Sequence, residues 1–113
     1  MIIREERPWG WFETIEESKT YKLKKIYVKP KQQFSLQYHN KRDEHWIIVD
    51  GSGVITLGEN KFDVAPNSSF FIEKGIIHRL TANDKGITFY EVQYGMCDEN
   101  DIKRVEDDYG RVK

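Results

Sequence analysis

Gln37, His39, Glu44 and His78 are the residues of this chain whose types and spacing could do chemistry. The run Gln37-x-His39-x4-Glu44 sets an amide oxygen, an imidazole and a carboxylate close together, while His78 stands apart in Gly75-Ile76-Ile77-His78. Of the 3 histidines in the chain, two belong to this set. One amide, two imidazoles and one carboxylate suit Zn²⁺, Fe²⁺, Ni²⁺ or Mn²⁺. Four protein donors that leave coordination positions open describe a catalytic metal rather than a closed structural one. The clustered cysteines of a structural zinc are absent. The same four residues are also ordinary polar members of a β domain, and spacing alone leaves both readings open.

To meet, these residues must come from neighbouring strands and one distant strand. In Ser35-Leu36-Gln37-Tyr38-His39, alternation puts residues 35, 37 and 39 on one face and Phe34, Leu36 and Tyr38 on the other. The polar face is expected to point into a barrel and the apolar face toward a second sheet or a subunit. On the next strand Glu44, Trp46 and Ile48 share a face, so Trp46 walls the same cavity and His45 points outward. Short β-rich runs separated by turn signals cover the rest of the chain. They include Trp11 to Ile15 after the Arg7-Pro8-Trp9-Gly10 turn, Tyr21 to Val28, Val54 to Leu57, Lys61 to Val64, Ser69 to Ile72, Ile77 to Thr81 and Ile87 to Tyr94. Asp50-Gly51-Ser52-Gly53 and Asn83-Asp84-Lys85-Gly86 predict turns, and Gly58-Glu59-Asn60 predicts a hairpin. Asp98 is placed to cap a short helical turn over Glu99 to Val105. So many short strands predict an all-β, double-sheet jelly roll.

The bulk numbers agree. With 113 residues the chain is expected to form a single domain, residues 1–113. Lys plus Arg is 18 against 19 for Asp plus Glu, a net charge of −1 that offers no footprint for nucleic acid or an anionic membrane. Only 38% of residues are hydrophobic, as suits a polar lumen or a surface completed by a partner subunit. The single cysteine, Cys97, precludes an internal disulfide and fits a reducing compartment; acidic Asp98 and Glu99 beside it disfavour a thiolate. No long apolar run opens the chain, so neither signal peptide nor membrane span is expected, and the protein is placed in the cytoplasm.

Several stretches carry a family resemblance: Arg7-Pro8-Trp9-Gly10, Ser35 to His39, Glu44-His45-Trp46-Ile47, Gly75 to Leu80, Glu91-Val92-Gln93 and Glu106-Asp107-Asp108-Tyr109-Gly110-Arg111. The chain resembles the cupin superfamily, and within it the cupin domain of type II mannose-6-phosphate isomerases, which usually follows a mannose-1-phosphate guanylyltransferase domain. The resemblance implies a double-stranded β-helix, the cupin jelly-roll barrel, with a divalent metal held by Gln37, His39, Glu44 and His78. Zinc is the first choice, with iron, nickel, manganese or cobalt also suited. Three departures stand out. Asn40 and Lys41 replace further histidines, Glu73-Lys74 replaces a proline before Gly75, and the 113 residues hold no guanylyltransferase domain, so a stand-alone version is expected.

By resemblance, the expected activity is interconversion of mannose 6-phosphate and fructose 6-phosphate through an enediolate. A metal stabilises the developing charge there and a base carries the proton. Lys24, in phase with Ile26 and Val28, is a candidate for that base, although a solvated lysine in a basic run explains it equally well. Arg79 is the second candidate catalytic residue, yet alternation turns it from His78's face toward another subunit. Arg7, Arg42, Arg79 and Arg111 are available to a phosphate. The amide at 37 favours an isomerase over an iron-dependent oxygenase. An isomerase on another sugar and a non-catalytic sugar-binding cupin are the other readings. Apolar outward faces predict a homodimer.

Overall fold

A computed structural model describes residues 2–112, and every regular element among them is a strand. In chain order these are β1 (Arg4–Arg7), β2 (Gly10–Glu17), β3 (Tyr21–Val28), β4 (Leu36–Tyr38), β5 (Arg42–Leu57), β6 (Asn60–Val64), β7 (Ser69–Ile72), β8 (His78–Gly95) and β9 (Lys103–Glu106). All pairings are antiparallel.

The two long strands, β5 and β8, each serve two leaves. Residues Ile87 to Tyr94 of β8 lie between β3 and the first half of β5, whereas His78 to Ala82 lie between the second half of β5 and β4. One leaf therefore runs β1-β2-β3-β8-β5-β7 and the other β6-β5-β8-β4-β9. This is the jelly roll that the strand spacing predicts.

The corners are where turns are expected from sequence, but they bend continuous strands instead of reversing the chain. Pairing of β5 with β8 slips between Ile48 and Asp50 and again between Gly51 and Gly53, as bulges do. Gly51 adopts φ +83°, and a Cβ there would lie 1.9 Å from the Gly86 carbonyl oxygen. Only glycine permits so close a crossing of two backbones.

Alternation sorts the side chains. Lys22, Lys24, Ile26 and Val28 are the buried residues of β3. Val28, Ile48, Ile55, Leu80, Ile87 and Phe89 are fully enclosed between the leaves. Burial of each such side chain contributes about 1.5–3 kcal/mol. Trp46 joins this core, stacked on Phe89 at 4.5 Å.

Two expectations are corrected here. Phe34 does not share the outer face of Leu36 and Tyr38. It precedes β4, where the backbone is irregular, and turns inward against Trp9 at 5.6 Å and Trp46 at 5.9 Å. The helical turn after Asp98 is not formed. Asp98 does close a turn, its carboxylate accepting from the Asn100 N–H (2.9 Å) and its carbonyl from the Asp101 N–H (3.0 Å). The chain then extends into β9, because the free edge of β4 offers Lys103 to Glu106 a ladder that one isolated helical turn cannot match. Among the described residues no helix is long and apolar enough to cross a membrane.

Candidate functional site

His39, Glu44 and His78 meet between the leaves. Each offers a ligand atom, and those atoms lie within 4.8 Å of one another. Glu44 comes from the first half of β5, His78 from the start of β8, and His39 follows directly on β4. His39 Nε2 is 3.2 Å from Glu44 Oε2, and His78 Nε2 is 3.8 Å from Glu44 Oε1. Two metal–ligand bonds of about 2.1 Å at a tetrahedral angle put their donors about 3.4 Å apart, so the cluster has the span of a zinc-sized site.

The tautomers follow from the backbone. His39 Nδ1 lies 2.6 Å from the Asp101 carbonyl and His78 Nδ1 lies 2.9 Å from that of Ile76. A carbonyl only accepts, so each Nδ1 carries the proton and each Nε2 keeps its lone pair toward Glu44. Fixing the ring through its other nitrogen is the usual support of a metal-binding histidine. His78 Nε2 is buried with no hydrogen-bond partner among the described residues, an orphan that a cation would satisfy.

Other groups already bind Glu44. Arg42 donates Nε to Glu44 Oε2 (2.8 Å) and Nη2 to His39 Nε2 (3.2 Å), while Trp46 Nε1 donates to Glu44 Oε1 (2.9 Å). A cation entering here competes with Arg42 for the same lone pairs. Gln37 turns its Nε2 toward His39 Nε2 at 3.4 Å, and its Oε1 accepts from Ser35 Oγ at 2.7 Å. The amide oxygen would face the cluster only after the carboxamide rotates by half a turn.

Burial sets the ionisation. It lowers the His39 pKa to about 4, against the pull of Glu44, and lowers His78 as well. Burial opposes the charge on Glu44, but His78, Arg42 and His39 around it hold its carboxyl well below the usual range. Glu91 goes the other way. Burial, and then repulsion from Glu44, push it up to about 8, with Arg42 and Lys24 only partly offsetting them.

A cavity of about 130 Å³ opens over this cluster. His39, Gln37 and Arg42 line it, whereas Glu44 and His78 are buried behind them. Phe12, Phe34 and Trp46 form apolar wall, and Lys24, Glu91 and Gln93 face inward from β3 and β8. Lys24 Nζ sits 2.5 Å from Glu99 Oε2 and 4.0 Å from the centre of the Phe12 ring. Register makes a row of three across neighbouring strands, since Gln37 of β4 pairs with His78 of β8 on one side and Arg104 of β9 on the other.

Lys24 thus reaches the cavity, but Arg79 does not. It donates to the Phe34 carbonyl (3.0 Å) and to Glu106 Oε1 (2.7 Å) in a groove beyond β4, because it follows His78 and strand parity turns it away. His45 faces outward as alternation predicts, packed on Phe71 and Tyr94. The sequence offers Glu91 only inside the Glu91-Val92-Gln93 stretch of the resemblance and Glu99 only as a neighbour of Cys97, and gives neither of them, nor Arg104, a place in the site. Parity with Phe89 and Gln93 could have found Glu91. No local signal marks Arg104.

The fold and the sequence both have relatives. At 18% identity and a TM-score of 0.81, the capsular polysaccharide assembling protein CapF of Staphylococcus aureus shares the fold over 94% of this chain and 34% of its own. Oxalate decarboxylase of Bacillus subtilis does so at 19% identity and 0.81, over 92% of this chain and 30% of its own. Among curated sequences, the xanthan biosynthesis protein XanB of Xanthomonas campestris pv. campestris is 42% identical over 94% of this chain and 23% of its own length. The mannose-1-phosphate guanylyltransferase ManC of Salmonella typhimurium is 39% identical over 94% of this chain and 22% of its own. The chain therefore spans less than a quarter of these curated relatives. They overturn the expectation of a stand-alone mannose-6-phosphate isomerase: the activity printed for ManC is guanylyl transfer, XanB is named for xanthan biosynthesis, and neither is named an isomerase. Family membership itself is direct, because residues 3–107 match the family described as mannose-6-phosphate isomerase C-terminal. The chain is a cupin and belongs to that family.

Proposed function

We propose that this cupin is a metal-assisted site for a phosphorylated sugar of the mannose-phosphate class, serving carbohydrate metabolism in the cytoplasm. The observation that carries this reading is the charge inside the cavity. Five basic side chains, Arg7, Lys24, Arg42, Arg104 and Arg111, line it against the acidic pair Glu91 and Glu99, although the whole chain is at −1. With Glu91 held protonated near neutral pH, the imbalance is larger still. Such a concave basic lining concentrates anions.

His39, Glu44 and His78 would hold a divalent cation, zinc by the span and softness of the set, with Gln37 as a fourth donor once its amide turns. Bound there, the cation supplies Lewis-acid polarisation of a sugar oxygen. Phe12, Phe34 and Trp46 exclude water from one side of the ligand. Lys24 and Glu91 are the groups able to hold or accept a proton at it. The test is calorimetry of zinc-loaded protein with mannose 6-phosphate and with mannose. Binding of the phosphorylated sugar at least tenfold tighter is expected, and equal or absent binding of both sinks the reading. Metal analysis of His78→Ala should find the zinc lost; full retention would remove His78 from the ligand set.

Two copies of the chain would pair through the outer face of β5, β7 and β8, where Ile47, Val49, Phe71 and Tyr94 are exposed beside His45. Light scattering should give twice the mass of the chain, and Phe71→Glu should halve it. A monomeric wild type at micromolar concentration would refute the pairing.

A further inference from the structure

One guanidinium of the cavity stands without a counter-charge. Lys24 is paired with Glu99, Arg42 with Glu44, and Arg111 with Asp107 through two contacts of 2.7 and 3.1 Å. Arg7 has Glu5 at 3.7 Å, and its guanidinium lies 4.9 Å from the centre of the Phe12 ring. Arg104 has no acidic partner within salt-bridge distance among the described residues, and its Nε is buried with no hydrogen-bond acceptor.

The surroundings make this arrangement costly as it stands. Partial burial is the first cause that lowers the Arg104 pKa from the ordinary arginine value; Arg111 and Arg7, which share the cavity lining, act the same way, with Asp107 opposing. A buried donor without an acceptor is destabilising, the more so when it is charged. An oxyanion with several acceptor oxygens relieves the orphaned Nε and the mutual repulsion together.

Position completes the case. Arg104 is the register partner of Gln37, and Gln37 is the partner of His78. Opposite residues of a pair project from the same face, so Arg104 enters the cavity two strand spacings, about 10 Å, from His78. A single small ligand can reach from Arg104 across Gln37 to His39 at the front of the cluster, all three of which line the cavity.

We propose that Arg104, flanked by Arg7 and Arg111, is the anion subsite of the cavity and takes the phosphate group of its ligand, across Gln37 from the His39–Glu44–His78 cluster. The identity of the sugar phosphate rests on the function proposed above, but the subsite itself does not. Asp107 positions Arg111 for it by holding that side chain through two hydrogen bonds.

The test uses the full chain and two probes. In metal-free protein, inorganic phosphate should raise the melting temperature of the wild type. Arg104→Gln, measured without phosphate, should melt no lower than wild type, because a cation repelled by Arg7 and Arg111 is gone, and its response to phosphate should vanish. In zinc-loaded protein, Arg104→Gln should weaken mannose 6-phosphate binding at least tenfold with zinc content unchanged. Should the glutamine variant fail to fold, Arg104→Lys retains the charge without the fork and should weaken both responses to an intermediate degree. A wild-type-sized phosphate response in either variant overturns the subsite, as does a wild type indifferent to phosphate. If phosphate binds through Arg104 but mannose 6-phosphate does not bind, the subsite stands and the sugar-phosphate reading falls.

Discussion

At Glu44, a guanidinium, an indole N–H and two imidazole rings crowd one carboxylate, so it stays ionised although fully enclosed. Its neighbour Glu91 cannot ionise as readily beside it and keeps its proton to about pH 8, with Gln93 Nε2 donating to Glu91 Oε1 at 2.5 Å. An unfolded glutamate releases that proton near 4.5, so between the two values the folded state binds more protons than the unfolded one. Stability from this group is therefore complete below the unfolded value and is lost as pH rises toward the folded value. In metal-free protein the unfolding free energy should fall by about 1 kcal/mol from pH 7 to pH 8, where the histidines contribute little. Glu91→Gln should remove most of that slope in urea titrations, and an unaltered slope would disprove the assignment. Parity put Gln37 with His39 on one face and Glu44 with Trp46 on another, because each lies on or directly beside a regular strand; the set of four as metal ligands came from the family resemblance. Parity failed at Phe34, which precedes the strand. Glu44 and His78 are distant in sequence, so their meeting depends on pairings that no local pattern contains.

The strands themselves were largely visible as alternation, from the buried lysines and aliphatics of β3 to the Glu44-Trp46-Ile48 face of β5. Their ends were less visible. Glycine, asparagine and aspartate in the corners signal a change of direction, but that signal does not distinguish a reversal from a bend inside one long strand. The difference lies in the partner: Gly51 crosses close to Gly86, and the ladder resumes beyond it. Gly51→Ala combines a left-handed backbone with a backbone clash, so it should destabilise the protein by about 2–4 kcal/mol in equilibrium unfolding. Gly58 turns the β5–β6 hairpin with φ +59°, but an added Cβ there would meet nothing within 4 Å. The same change at Gly58 should cost distinctly less, and equal losses at the two sites would contradict this account of the corner. β9 was hidden for another reason. Ile102 and Val105 sit at a spacing that also suits a helical turn, and only the open edge of β4 decides for a strand.

On the scale of the whole molecule, composition spoke accurately about what it averages and not about where charge gathers. A balance of 18 basic and 19 acidic residues conceals a basic cavity, because five basic side chains line it against only Glu99 and a Glu91 that holds its proton. The division of β5 and β8 between two leaves has a mechanical consequence. Glu44 belongs to the leaf containing β3 and β7, while His78 and the strand that carries Gln37 belong to the other. An ion held by this set would latch the leaves at their mouth and damp the breathing by which they part. Amide hydrogen exchange should then slow on zinc loading in β4 and in β5 near Glu44, while the outlying hairpin of β6 keeps its rate. Uniform slowing, or none, would mean that the ion grips one leaf alone.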